Sequence, residues 1–367
     1  MIISLQKRPY GIALIIVMIV IIVLAVMAGG FAYSMKVETR LARNSSFDSD
    51  MENIGRSAIE RIRYMLAMHL RDPQHARYTS FNHLRNIGPP STNELVSWIT
   101  MENAEQPIGH TFVEIVDMES RFNLAAIRDE RYSPVLQRAL ETMGVDPIQV
   151  TDIIDSYLDW TDPDHNKRIH GAETDFYATL NPAAPYVAKN GIMDDVSELL
   201  LIRGMTPEIY YGAGQTGMRQ RRGGPPKSTP LGGAPSGGGS SAGLVDLFTT
   251  ISAAGTAVNA NTASAAVLQL LPGMDAALAQ SIIETRAGPD HTDGTDDDIP
   301  FLTTGELINV PGLTPELMGV MRPYLVVTSS IFQITVEARI GTYIRRYEAL
   351  VQRRNAQDVT ILYFRVL

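Results

Sequence analysis

A chain of 367 residues, 45% hydrophobic and 19% charged, exceeds one average domain and can bury a substantial core. Its net charge of −9, with no long basic run, makes it a poor ligand for nucleic acid. It contains no cysteine, which excludes a disulfide, a thiolate metal site and a cysteine nucleophile.

Lys7 and Arg8 precede Tyr10 and Gly11, and an uncharged apolar run follows from Ile12 to about Phe31. About 20 residues at ~1.5 Å each match a hydrocarbon core of ~30 Å. Three readings compete: a secretory signal cut near Gly30-Phe31-Ala32, an uncleaved signal anchor, and a prepilin leader. A prepilin leader is a short basic segment ending in glycine, with the apolar helix beginning directly after the cut. Lys7 to Gly11 followed by Ile12 has that form, so the expected processing site is Gly11 and Ile12. Lys7 and Arg8 place the amino terminus in the cytoplasm and the bulk of the chain in the periplasm, although Lys36, Arg40 and Arg43 oppose that bias.

The helical pattern continues past the apolar run. Val37, Leu41, Met51, Ile54, Ala58, Ile62 and Met65 make one apolar stripe, with Glu52, Arg56, Glu60, Arg61 and Arg63 on the other face. Period two then takes over. Phe112 to Met118 reads as a strand, and Phe332, Ile334, Val336, Ala338 and Ile340 alternate with polar residues. Gly341-Thr342 suits a hairpin turn, and Tyr343 to Gln352 and Val359 to Val366 continue an antiparallel meander.

Between the strands the texture is helical and broken by Pro and Gly. Ser133 to Met143 and Asp146 to Trp160 have helical spacing, and Gly144 stands where a helix would end. Arg219 to Gly243 is rich in Gly, Pro and Ser and reads as a flexible loop. A repeat lies in this region. Leu199-x-x-Ile202-x-Gly204-Met205 recurs as Leu268-x-x-Leu271-x-Gly273-Met274 and as Leu307-x-x-Val310-x-Gly312-Leu313. Each copy reads as a helix, a glycine of positive φ that ends it, and a new helix: a helix–hairpin–helix unit.

Such units can bind DNA phosphate, so a membrane-anchored DNA-binding protein of the DNA-uptake type is the alternative. From Leu244 to Leu325 the only cationic residues are Arg286 and Arg322, among many carboxylates, which argues against it. No His-Glu-x-x-His, Gly-x-Ser-x-Gly or phosphate loop is present, so no enzyme activity is expected. Two acidic clusters carry more chemistry. Asp162, Asp164, Asn166, Arg168, His170 and Glu173 fall at positions 1, 3, 5, 7, 9 and 12 of a calcium-loop register, with Lys167 where the usual glycine would be. Asp290, Asp293, Asp296, Asp297 and Asp298 form the second cluster, whose mutual repulsion a divalent cation would relieve.

Several segments carry a family resemblance. They are the leader ending at Gly11, Ser120-Arg-Phe-Asn-Leu-Ala125, Asp159-Trp-Thr-Asp-Pro-Asp164 and Gly171-Ala-Glu-x-Asp-x-Tyr177. Val196 to Tyr210 and Val258-Asn-Ala-Asn-Thr-Ala263 extend it, so that it runs nearly end to end. In these the chain resembles the general secretion pathway protein K family, the largest minor pseudopilins of type II secretion. The resemblance implies an α+β fold: a pilin-like long N-terminal helix plus an antiparallel sheet, with a large, mainly α-helical domain inserted. The implied division is 1–11 leader, 12–34 transmembrane helix, 35–126 pilin-like helix and first strands, 127–325 inserted domain with a flexible loop at 213–243, and 326–367 C-terminal strands.

The same resemblance implies a subunit of the Gram-negative inner membrane, cut and methylated by a prepilin peptidase. Its partners would be the I and J minor pseudopilins and the major pseudopilin, with no nucleic acid, and its place the pseudopilus tip. It also implies structural calcium, with Asp159, Asp162, Asp164, Asn166, Glu173 and Asp175 as candidate ligands at the first site. Asp290, Asp293, Asp296 and Asp297 are the candidates at the second. Most pilins carry Glu as the fifth residue of the mature chain; here that position is Ile16.

Overall fold

The computed structural model describes residues 10–73, 75–87, 110–127, 130–180, 183–212, 242–340 and 343–367. The expected leader up to Pro9, the Gly341-Thr342 turn and nearly all of the Gly-rich segment lie outside these residues. Helix α1, Tyr10–His69, runs unbroken for 60 residues, about 90 Å at 1.5 Å per residue. Its two halves have different surroundings. Every large apolar side chain from Leu14 to Leu41 is exposed, by 38% to 72%. From Met51 onward, Ile54, Ala58, Ile59, Ile62 and Leu66 are buried.

The expected stripe therefore divides. Val37 and Leu41 are exposed and Met65 is half-buried, because the globular head reaches the helix only from about Phe47 onward. What covers that upper stripe is a four-stranded antiparallel sheet, order β1-β6-β7-β8. Strand β1 is His110–Asp117, β6 is Ile331–Ile340, β7 is Tyr343–Arg353 and β8 is Val359–Val366. Phe332, Ile334, Val336 and Ala338 of β6 and Tyr347, Ala349 and Val351 of β7 bury against the helix. Helix and sheet approach closely at Gly55, where an added Cβ would lie 2.4 Å from the Tyr347 ring.

The chain between β1 and β6 forms a second body with its own core. Among the described residues its helices are α3 (Ser133–Thr142), α4 (Pro147–Thr161), α5 (Thr174–Leu180), α6 (Pro207–Tyr211), α7 (Leu244–Leu247), α8 (Ala265–Leu268), α9 (Ala276–Arg286) and α10 (Pro315–Met321). A short α2, Phe81–Ile87, precedes β1. Two short parallel pairings stitch the body: β2 (Phe122–Asn123) with β3 (Phe248–Thr249), and β4 (Val258–Asn259) with β5 (Leu325–Val326). Phe122, Leu124 and Val327 belong to its core, so its seams lie at Asp117 and Ile331, a few residues outside the expected 127–325.

All three repeats fold as their glycines require. Gly204, Gly273 and Gly312 have φ of 83°, 79° and 90°, a region open to glycine at no steric cost. Thr206, Asp275 and Thr314 then cap the helices that follow, each accepting the backbone N–H of the residue three positions on.

A buried polar junction joins the two bodies. The Asp117 carboxylate accepts bonds from Glu119 N, Asn259 Nδ2, Thr262 Oγ1 and Ser329 Oγ. Arg353, also buried, donates to Thr79 Oγ1 at 3.1 Å and Ser329 O at 2.9 Å. Beside it the rings of His69, His75 and His83 pack with centroids 4.3–4.8 Å apart. Burial, with Arg353 and His75 adding, pushes His69 down to about 4; burial, with the other two histidines, pushes His83 down to about 3. Burial and the neighbouring Asp117 push Glu119 up to about 8.

These shifts act in opposite directions on stability. As pH falls below the ordinary histidine value of 6.5, the unfolded chain takes up protons that folded His69 and His83 cannot. As pH rises above 4.5, the unfolded chain ionises a glutamate that stays protonated in the fold until about 8. Each group changes stability by at most about 1.4 kcal/mol per pH unit. With two histidines acting against one glutamate, the melting temperature should climb to a maximum near pH 6.5 and fall above it. A pH series of thermal melts checks this: Glu119→Gln should flatten the alkaline limb and His83→Gln the acid limb.

Candidate functional site

The first acidic loop joins α4 to α5. Asp159 and Asp162 stand at the C-terminal end of α4, and Glu173 immediately precedes α5. Asp159 is 0% exposed and Glu173 3% exposed. One guanidinium nitrogen of Arg168 donates to Asp159 Oδ1 at 2.8 Å and to Asp162 Oδ2 at 2.5 Å. The Arg168 main-chain N–H also reaches Asp159. Burial raises the Asp159 carboxyl, against the pull of Arg168, and burial raises Glu173, with Asp159 and Asp162 adding.

Three oxygens around this loop are buried and accept no hydrogen bond: Asp162 Oδ1, Glu173 Oε1 and Asn190 Oδ1. Asn190 arrives from a distant turn and is held there by its own amide. Its Nδ2 donates to Asp164 O and lies 2.8 Å from His165 Nδ1, which is 4.0 Å from Glu173 Oε2. Asn190 has a φ of 48°, in the left-handed region. Unpartnered buried oxygens of hard character suit calcium, which takes carboxylate and carbonyl oxygens. The fit is narrower than the sequence register. Asp164, Asn166 and Asp175 are exposed, and Asp159 is committed to Arg168. Among the described residues no three His, Asp or Glu side chains converge as a cation site. The grouping here is two carboxylates and one amide, and Asn190 is the member the spacing of acids did not reveal. Its only signal was Asn190-Gly191, a turn dipeptide.

The second acidic loop has its oxygens engaged by the chain itself. Arg286 donates to both oxygens of Asp293, and its remaining nitrogen donates to the carbonyls of Ala260 and Ala263. Asp297 accepts from Asp290 N and Thr295 Oγ1, Asp290 from Thr292 N, and Asp298 from Gly294 N. Asp296 is exposed. No buried, unpartnered side-chain oxygen occurs at these five aspartates. Arg286 is itself 3% exposed, so this cation cannot serve a phosphate backbone.

The other candidate feature is the lower half of α1. By length and composition it is able to cross a membrane, and none of its most apolar window is buried in the protein. Gly11 and Ile12 lie in its first turn.

Residues 120–212 match the family model described as type II secretion system (T2SS), protein K. Residues 253–326, which hold the second and third glycine hairpins, match a helix-hairpin-helix motif. Over residues 120–212 the chain is thus similar to type II secretion system proteins K. Similar proteins include a type II secretion system protein K from Klebsiella pneumoniae, 32% identical over 28% of this chain and 33% of its own length. Another is that of Aeromonas hydrophila, 24% identical over 56% of this chain and 61% of its own. The matches thus span from a third to about three-fifths of these relatives. A chain in the crystal structure of the GspK-GspI-GspJ complex from the enterotoxigenic Escherichia coli type 2 secretion system has the same fold. It aligns with a TM-score of 0.59 at 14% identity, over 89% of this chain and 99% of that one. The fold of this chain is therefore α+β, with a long N-terminal helix, an antiparallel sheet and an inserted helical body.

Proposed function

We infer that this chain is a minor pseudopilin of a type II secretion system: an assembly subunit, not an enzyme, that caps the pseudopilus tip and initiates its growth for protein export. One observation carries the reading. A single helix exposes its apolar side chains from Leu14 to Leu41 and, without a break, forms the buried spine of a pilin-like sheet over its upper half. Such a helix can leave a bilayer and enter a helix-packed filament without unfolding its head. The lower half is the inner-membrane anchor, with the amino terminus cytoplasmic and the head periplasmic. The partners are the I and J minor pseudopilins and, below them, the major pseudopilin; a complex of K, I and J proteins is the setting of the similar fold.

Co-expression of the full chain with I- and J-type minor pseudopilins, followed by detergent extraction and co-purification, tests the assignment. A stable three-part complex is expected. Retention on DNA without a pilin partner would establish the DNA-uptake alternative instead.

Processing follows from the same reading. A prepilin peptidase cuts between Gly11 and Ile12 and the new amine is methylated. Mass spectrometry of the mature protein should find Ile12 at its start, and Gly11→Leu should leave the leader attached. A start at Tyr33 would mean ordinary signal cleavage.

Calcium is the structural cofactor of the first loop, held by Asp162, Glu173 and Asn190. It would neutralise carboxylates that the fold has already desolvated. An ion that binds only the folded chain stabilises it by about 2.7 kcal/mol at a hundredfold excess over its dissociation constant. Chelation should accordingly lower the melting temperature, and Glu173→Ala should remove most of that response. Asp164→Ala, whose side chain faces solvent, should leave it largely intact. Equal melts with calcium and with chelator would refute the cofactor assignment.

A further inference from the structure

We propose that Arg168 is a resident counter-cation of the first acidic loop: it holds the buried carboxylates together when no divalent ion is present, and it fixes which oxygens remain open to one. The second half of this statement rests on the calcium reading; the first half does not.

Charge is the first argument. Asp159 and Glu173 are buried and Asp162 is partly buried beside them, three carboxylates in a space with little water. Arg168 is the cation that bonds into them, through a single nitrogen shared between Asp159 and Asp162. Three negative charges and one positive leave two, which is the charge a divalent cation balances. A guanidinium cannot lose its proton here, so the offset is permanent.

Geometry is the second. Asp159 is fully enclosed, and the chain passes so tightly over it that a Cβ on Gly171 would lie 1.9 Å from Asp159 Oδ2. A side chain at position 171 would displace that carboxylate, to which Arg168 supplies the compensating charge. Arg168 takes Oδ2 of Asp162 and leaves Oδ1 without a donor. By fixing that carboxylate's rotation it separates one oxygen for the guanidinium from one for an ion. Glu173, buried and with Oε1 unpartnered, is the independent sign that something positive is still missing after Arg168 is counted. Removing one partner of a buried pair leaves an uncompensated charge, and that cost is large. Arg168 is therefore a positioning residue.

The test uses the full chain in detergent, melted in chelator and across a calcium titration. Arg168→Gln should lower the melting temperature in chelator by about 5–10 °C. Saturating calcium should recover most of the loss, so that the calcium-induced shift is at least twice that of the unsubstituted chain. The double variant Arg168→Gln with Asp159→Asn removes both charges and should melt in chelator several degrees above Arg168→Gln alone. It keeps the proposal testable even where the single variant folds poorly. An equal loss with and without calcium would reduce Arg168 to an ordinary packing contact, and no loss in chelator would overturn the proposal outright. If the unsubstituted chain ignores calcium, the calcium reading falls. The chelator arm and the double variant still decide whether Arg168 is the counter-cation.

Discussion

Asp117→Ala should destabilise the protein by roughly 3–5 kcal/mol, the largest stability loss expected of any single substitution at the junction. The carboxylate is 2% exposed and accepts from Asn259 at 3.0 Å, Ser329 at 2.6 Å, Thr262 at 2.5 Å and the Glu119 amide at 2.9 Å. Those donors come from three separate parts of the chain. Removing the acceptor leaves them buried without a partner, and each such group costs about 1–3 kcal/mol. Arg353 also loses a neighbouring negative charge that favours its protonated form. At about 2–4 °C per kcal/mol, the melting temperature should fall by roughly 10 °C. Differential scanning calorimetry near pH 6 reads the effect. Asp117→Asn keeps the shape and one acceptor oxygen, so it should cost less and should bring the alkaline titration of Glu119 to lower pH. A loss within 1 kcal/mol for Asp117→Ala would mean that the junction does not hold the two bodies together.

Each assembled pseudopilus should carry about one copy of this chain, at its tip. No acid occurs between Ile12 and Met35, and the fifth residue after the expected cut is Ile16, an exposed apolar side chain. A carboxylate in that apolar helix can pair with the free amine of the subunit above, and in hydrocarbon it is tolerated only with such a partner. On the proposed cut, this subunit would have no such group with which to receive a neighbour above it. The amine left by that cut could still be received by the subunit below. The inserted body, 118–330, adds bulk that a repeating shaft would have to accommodate at every step. Quantitative mass spectrometry of sheared pseudopili should give a ratio to the major pseudopilin that falls in proportion to filament length. Immunogold should mark one end. Labelling along the shaft would defeat the tip assignment, and Ile16→Glu should raise the number of copies recovered per filament.

What the sequence determined by itself was local. An unbroken run from Ile12 to Phe31 has only one stable conformation in a bilayer, because a helix satisfies every backbone group internally. Alternation in β6 shows one face buried and one wet, since successive side chains point to opposite faces. The hairpin glycines carry their own steric signature, and all three adopt the positive φ that their position in the repeat requires.

The tertiary structure decided what depends on distance along the chain. Where the helix meets its sheet is set by the length of the head, so Val37 and Leu41 look like Ile54 and Ile62 in sequence yet remain exposed. The polar junction gathers Thr79, Asp117, Asn259, Ser329 and Arg353, separated by up to 274 positions. The acidic loop was legible as an acidic loop but not as a site. Regular spacing suggested ligands at alternate positions, whereas the fold turns Asp164 and Asn166 to solvent and brings in Asn190 from beyond α5. Carboxylates in sequence advertise only their charge. Which oxygens are desolvated, which are already satisfied by Arg168 and which stay open is fixed by packing, because only burial makes an unpartnered oxygen costly.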